Sequence, residues 1–114
     1  MDLNYKKKGN AIVIYLQGNI DIYFTAFNEN EINKLLSDES RSHFLLNLQD
    51  VDSISSSGLG ILISTKLVLK KRGMRLVLCN MNDIVRRIFQ IVKYDEIFDI
   101  FNTEDDSLEF LKNI

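Results

Sequence analysis

Two short apolar runs, "HFLLNLQDV" (43–51) and "MRLVLCN" (74–80), constrain this chain more than any other feature. Each is too short for a buried helix and too continuous for a half-exposed strand, the pattern of strands covered on both faces. Between them, from Gly58 to Arg72, Leu59, Leu62, Ile63, Leu67 and Val68 cover most of a helical circumference. A basic last turn follows, and Gly73 stands where a left-handed helix terminator is expected. Strand, helix, strand at this spacing predicts parallel pairing through a right-handed crossover.

The remaining segments extend the same alternation. Leu3 and Tyr5, a turn at Gly9-Asn10, then Ile12, Ile14 and Leu16 read as a β-hairpin. After Gly18, Phe24, Phe27, Ile32, Leu35 and Leu36 recur at helical intervals on what reads as one inner face. A further helix over 82–93 groups Ile84, Val85, Ile88, Phe89 and Val92, and "IFDIF" (97–101) reads as a last strand. Thr103 with Asp106 resembles a capping box opening a terminal helix whose inner residues are Leu108 and Leu111. The expected fold is one α/β domain over 1–114: a mostly parallel sheet of four to five strands with an N-terminal hairpin, and about four helices. In such sheets partners gather outside the carboxyl ends of the strands. Here "GNID" (18–21), "QDVDSISSSG" (49–58) and "NMND" (80–83) occupy that edge.

Composition narrows the function classes. With 14 basic and 16 acidic residues the chain is not built for a nucleic-acid polymer or an anionic membrane. The runs Lys6-Lys7-Lys8 and Lys70-Lys71-Arg72 each flank a glycine and read as solvated turn charge. No stretch approaches the length of a membrane span, and the N-terminus lacks a signal peptide's basic-then-apolar order, so a cytoplasmic protein is expected. One cysteine and one histidine make a Cys/His zinc site implausible, and Cys79 reads as a buried strand residue. No cofactor is implied.

The serines Ser53, Ser55, Ser56 and Ser57 at a strand-to-helix junction are the chemistry left to explain. A nucleophile elbow would need a glycine two residues before the serine, and the sole histidine, His43, opens the preceding strand at its opposite end. A catalytic serine is therefore not expected. Gly58 and Gly60 lack the third glycine or the Gly-Lys-Ser/Thr of a phosphate-binding loop. One serine suffices to cap the following helix. The rest fit a hydroxyl that another protein phosphorylates, at a helix end whose amides favour an anion, on an edge made acidic by Asp21, Asp50 and Asp52.

"GNID", "LLNLQDVDSISSSGLGIL" and "GMRLVLCNMNDIVRRIFQIV" together resemble the STAS domain of bacterial anti-sigma factor antagonists, in order and along nearly the whole chain. The resemblance implies a partner-switching regulator. Unphosphorylated, it binds an anti-sigma factor that is also a GHKL-type serine kinase and so releases a sigma factor. The kinase, using its own ATP and magnesium, switches it off by phosphorylation, and a serine phosphatase reverses this. The implied acceptor is Ser56, with Ser57 and Ser55 as second choices and Ser53 more distant. Asp21, Asp50, Asp52, Ser55, Ser57, Gly58 and Gly60 are the expected partner-binding residues. The family's aspartate before the acceptor is Ser55 here. Two other functions fit the same edge: an unphosphorylated scaffold or accessory subunit of a signalling or transport complex, and a nucleotide- or lipid-binding domain.

Overall fold

The computed structural model describes residues 3–114 and contains one five-stranded sheet in the order β1-β2-β3-β4-β5. Strands β1 (Asn4–Lys8) and β2 (Ala11–Ile20) form the antiparallel hairpin, turning at Gly9 with φ of +60°. Then follow α1 (Ile22–Asp38), β3 (His43–Ile54), α2 (Ser56–Lys71), β4 (Leu76–Cys79), α3 (Asp83–Ile91), a 3-10 turn (Tyr94–Glu96), β5 (Asp99–Phe101) and α4 (Glu104–Lys112). All pairings from β2 to β5 are parallel.

Because the strand order never reverses, right-handed crossovers place α1, α2 and α3 on the same face and leave the other to α4. The larger core joins Ile12, Ile14, Phe44, Leu46 and Leu78 to Leu35 and Leu36 of α1, Leu62 and Leu69 of α2, and Val85 and Phe89 of α3. The alternate strand residues, Ala11, Val13, Leu45, Val77 and Cys79, face Leu111 of α4. Burial pushes the Cys79 thiol pKa up to about 12, which keeps it protonated and inert. Helix α2 ends as expected: Gly73, at φ +71°, lets its own amide reach the Lys70 carbonyl and that of Met74 reach the Leu69 carbonyl.

Several expectations are corrected. Strand β3 runs through the polar stretch to Ile54, because β2 supplies backbone pairing as far as Ile20. Helix α2 starts at Ser56, two residues before Gly58. Phe27 points outward, 68% exposed, and the buried position one turn beyond Phe24 belongs to Asn28, whose Nδ2 donates to the Phe24 carbonyl at 3.0 Å. Ile84 and Val92 also lie largely outside the core. Finally, the lysines at 6–8 are not idle turn charge. Lys6 sits over the Tyr15 ring, Lys7 reaches Glu39 at 3.5 Å and Lys8 reaches Glu104 at 2.5 Å. At the other basic run, Arg72 Nη1 donates to the Leu36 carbonyl at 2.5 Å, satisfying the end of α1, which has no basic residue of its own in its last turn.

Candidate functional site

A helix follows each of β2, β3, β4 and β5, so all four helices begin at the carboxyl edge of the sheet. Each start is capped by a side chain the sequence places there for that purpose: Asp21, Ser55, Asn82 and Thr103. The Asp21 carboxylate accepts from the amides of Tyr23 and Phe24 at 3.0 and 3.1 Å. It is thus a structural residue as well as a half-buried acid at the surface.

The four serines are sorted by what their hydroxyls already do. Ser53 Oγ donates to Asn19 Oδ1 at 2.9 Å, across the paired ends of β3 and β2. Ser55 is the α2 N-cap, its Oγ donating to the Ile20 carbonyl at 3.3 Å and accepting from the Gly58 amide at 3.5 Å. Serine and aspartate are nearly equivalent caps, so Ser55 fills the structural place of the aspartate that the family resemblance would put there. Ser56, the first residue of α2, is exposed, and among the described residues its hydroxyl makes no hydrogen bond. Ser57 is half-buried and lines an open groove of about 180 Å³ between α1 and α2, with Thr25 and Glu29 opposite it.

The two glycines differ sharply. A Cβ on Gly58 would lie 2.3 Å from the Ile20 carbonyl oxygen and 2.9 Å from a methyl of each of Ile20 and Ile54. Gly58 is therefore buried because α2 presses its first turn onto the end of β2, not because a surface needs it. Gly60 is exposed with nothing within 4 Å of an added Cβ. Its bareness has no intramolecular reason.

Asp50 and Asp52 are both exposed. Asp50 lines a groove with Tyr15, Gln17, Phe24 and Asn28, on the opposite flank of α1 from the groove that holds Ser57. Asp52 falls in the register shift where Gly18 pairs with Val51 and Asn19 with Ser53. A residue the sequence reading left without a role is Asn82. Its Nδ2 donates to the Val51 carbonyl at 2.9 Å where β4 has ended, and its Oδ1 accepts from Val85 at 2.8 Å, tying the serine strand to the start of α3. The signal is "NMND", read from the sequence only as a segment of the carboxyl edge, where Asn82 makes both bonds.

His43 stands at the start of β3, at the other end of the strand, with Nδ1 accepting the Arg75 amide at 2.9 Å. Burial, then the Arg75 charge, lowers its pKa below the ordinary histidine value. Among the described residues, no helix is long and apolar enough to cross a membrane.

Comparison with known proteins agrees with this architecture. The anti-sigma-B factor antagonist of Bacillus subtilis is 29% identical over 100 residues, covering 88% of this chain and 90% of that protein. An anti-sigma factor antagonist from Mycobacterium paratuberculosis superimposes with a TM-score of 0.86 at 23% identity, over 97% of this chain and 93% of the other. SpoIIAA, an anti-sigma factor antagonist solved in unphosphorylated and phosphorylated forms, gives TM-scores of 0.75 and 0.71 at 18% identity, over 99% and 95% of this chain and 100% and 97% of those chains. These structures share the fold. The STAS domain family matches residues 2–107, nearly the whole of the sequence and all five strands of the sheet, and the chain belongs to the STAS domain family.

Proposed function

We propose that this protein is an anti-sigma factor antagonist that binds an anti-sigma factor with serine-kinase activity while Ser56 is unmodified, and releases it once Ser56 carries a phosphate. The observation that carries the reading is the Ser56 hydroxyl itself. It is exposed on the first residue of α2 and uncommitted, while Ser53 and Ser55 are engaged in holding β2, β3 and α2 together. The relatives' names supply the partner class.

The local electrostatics support a phosphate that leaves the fold intact. Helix α2 has no acid in its first turn, and only the Gly58 amide of that turn is taken by the cap. The amide dipoles there favour an anion, by about 0.3–1 kcal/mol at an exposed site. The added charge, about −1.5 to −2, therefore acts outward. It fills a position where a partner face accommodates a neutral hydroxyl. Ser57 is the second choice of acceptor, recessed in the α1–α2 groove, and Ser55 the third, its hydroxyl already a cap. Asp21, Asp50, Asp52, Ser55, Ser57, Gly58 and Gly60 keep their place as proposed elements of the partner region, with Gly58 acting through the fold.

The test is affinity capture from native lysate with wild type and Ser56→Ala in parallel, with mass spectrometry of the captured proteins and of the bait's serines. The expected result is one anti-sigma factor held more firmly by Ser56→Ala, phosphate on wild-type Ser56, and loss of capture by Ser56→Glu. Equal capture by all three baits with no modified serine would overturn the switch and favour the scaffold reading.

A further inference from the structure

Three large apolar side chains stand out on the first two turns of α1: Ile22 at 63%, Tyr23 at 71% and Phe27 at 68% exposure. Tyr23 and Phe27 are one turn apart, as are Ile22 and the exposed Ala26, so the four form one continuous shoulder. The intramolecular packing of α1 uses the other side, through Ile32, Leu35 and Leu36. Nothing in the fold accounts for aromatic rings on the outer side.

The shoulder adjoins the serine junction. The Ser55 amide donates to the Ile20 carbonyl at 3.0 Å, two residues before Ile22, and Thr25 shares a groove with Ser57. The two stretches of chain that supply the shoulder and the serine junction are one-sided in charge. Residues 9–33 and 42–65 contain Asp21, Glu29, Glu31, Asp50 and Asp52 and no lysine or arginine at all. The chain's other 11 acids (16 less these five) share the remaining sequence with all 14 of its bases. A second copy of this chain, or an anionic lipid surface, would set acid against acid here.

We propose that Ile22, Tyr23 and Phe27 are the apolar anchor of the interface centred on Ser56, and that the occupant is a protein face with an apolar recess rimmed by lysine and arginine. The proposal rests on the reading of Ser56 as the switch of that interface. Aromatic anchors surrounded by polar rim are the residues that dominate binding energy, while the rim charges mainly set the association rate. The phosphate acts at contact range within this frame: the acids steer the encounter, and the modified serine spoils the fit.

The experiment places the photo-crosslinking residue p-benzoylphenylalanine at position 23, 27 or 60 in the full chain, expressed in its own organism. The protein crosslinked at 60 is purified and titrated with wild type and with Tyr23→Ser/Phe27→Ser. Expected are adducts at 60 and at 23 or 27 to the same anti-sigma factor. The double variant should bind about thirtyfold more weakly at an unchanged melting temperature, and association should slow several-fold between about 0.05 and 0.3 M salt. An adduct at 60 only, different proteins at the two places, or affinity of the double variant within twofold of wild type would overturn the anchor and leave the Ser56 reading standing. Association indifferent to salt would overturn the basic rim. No adduct at any of the three positions would overturn both.

Discussion

The contact between Gly58 and the end of β2 allows a quantitative prediction. In Gly58→Ala the new methyl carbon would start 2.3 Å from the Ile20 carbonyl oxygen, close to 1 Å nearer than such atoms approach. That oxygen cannot swing aside cheaply, since it accepts from the Ser55 amide at 3.0 Å and from Ser55 Oγ at 3.3 Å. Forcing a methyl into a filled site typically costs about 1–3 kcal/mol, and weakening the bonds to Ile20 adds about 0.5–1.5 kcal/mol. Against this, alanine is the better helix former by up to about 1 kcal/mol. The net expectation is a loss of about 2 kcal/mol, seen as a lower urea midpoint with an unchanged slope, or a fall in melting temperature on the order of 8 °C. Gly60→Ala is the internal control, because an added methyl there meets nothing within 4 Å. It should be neutral or raise stability by up to about 1 kcal/mol. If Gly58→Ala unfolds at the wild-type midpoint, or if both alanines destabilise equally, the close-approach argument is wrong.

Other substitutions separate fold from surface. Asp21→Ala removes a cap that accepts two amides and should cost about 1 kcal/mol. Asp21→Ser keeps a cap without the charge, so stability that stays near wild type with weaker partner binding would assign the charge to the interface, and unchanged binding would remove Asp21 from it. Ser55→Asp should fold as stably as wild type, while Ser55→Ala should lose about 1 kcal/mol; equal urea midpoints for the two would refute the cap. His43 has its pKa lowered by burial and by Arg75, so protons bind the unfolded chain more tightly. Its contribution is complete above the ordinary value of 6.5 and is lost as pH falls below it. Urea midpoints at about pH 7.5 and pH 5.5 should therefore differ more for wild type than for His43→Asn, and an equal drop in both would show that other groups carry the dependence.

The elements legible in the sequence are those whose side chains report their own burial. "HFLLNL" and "LVLC" are strands because every residue is apolar or enclosed, and Gly73 ends α2 because only a left-handed residue fits there. What escaped is decided by partners remote in sequence. Gln49 to Ser53 look like a loop, yet they are strand because backbone atoms of β2 pair with them. Phe27 and Asn28 exchange their expected places: hydrophobicity alone assigns the ring inward, while the helix geometry puts Asn28 at the buried position. The lysines of β1 read as free charge because Tyr15, Glu39 and Glu104 are far along the chain. At the site, the junction itself was evident, but the division of labour among its serines was not. Hydrogen bonds to Asn19 and to Ile20 decide which hydroxyls are occupied, and neither partner is adjacent in sequence.

Strand β3 pairs with β4 only as far as Asn47, so its last seven residues, Leu48 to Ile54, have β2 alone as a strand neighbour, while Leu48, Val51 and Ile54 are buried in the core and Asn82 braces the other edge. Under the proposed function, an enzyme acting on Ser56 would meet a helix start braced by β2, β3 and α3, and would close around a finished shape instead of threading a loose peptide. A synthetic peptide spanning the serines would lack both β2 and the start of α3, and would be neither a useful substrate nor a competitor. Under the proposed function, recognition at this junction is of a folded object, and it lapses with the fold.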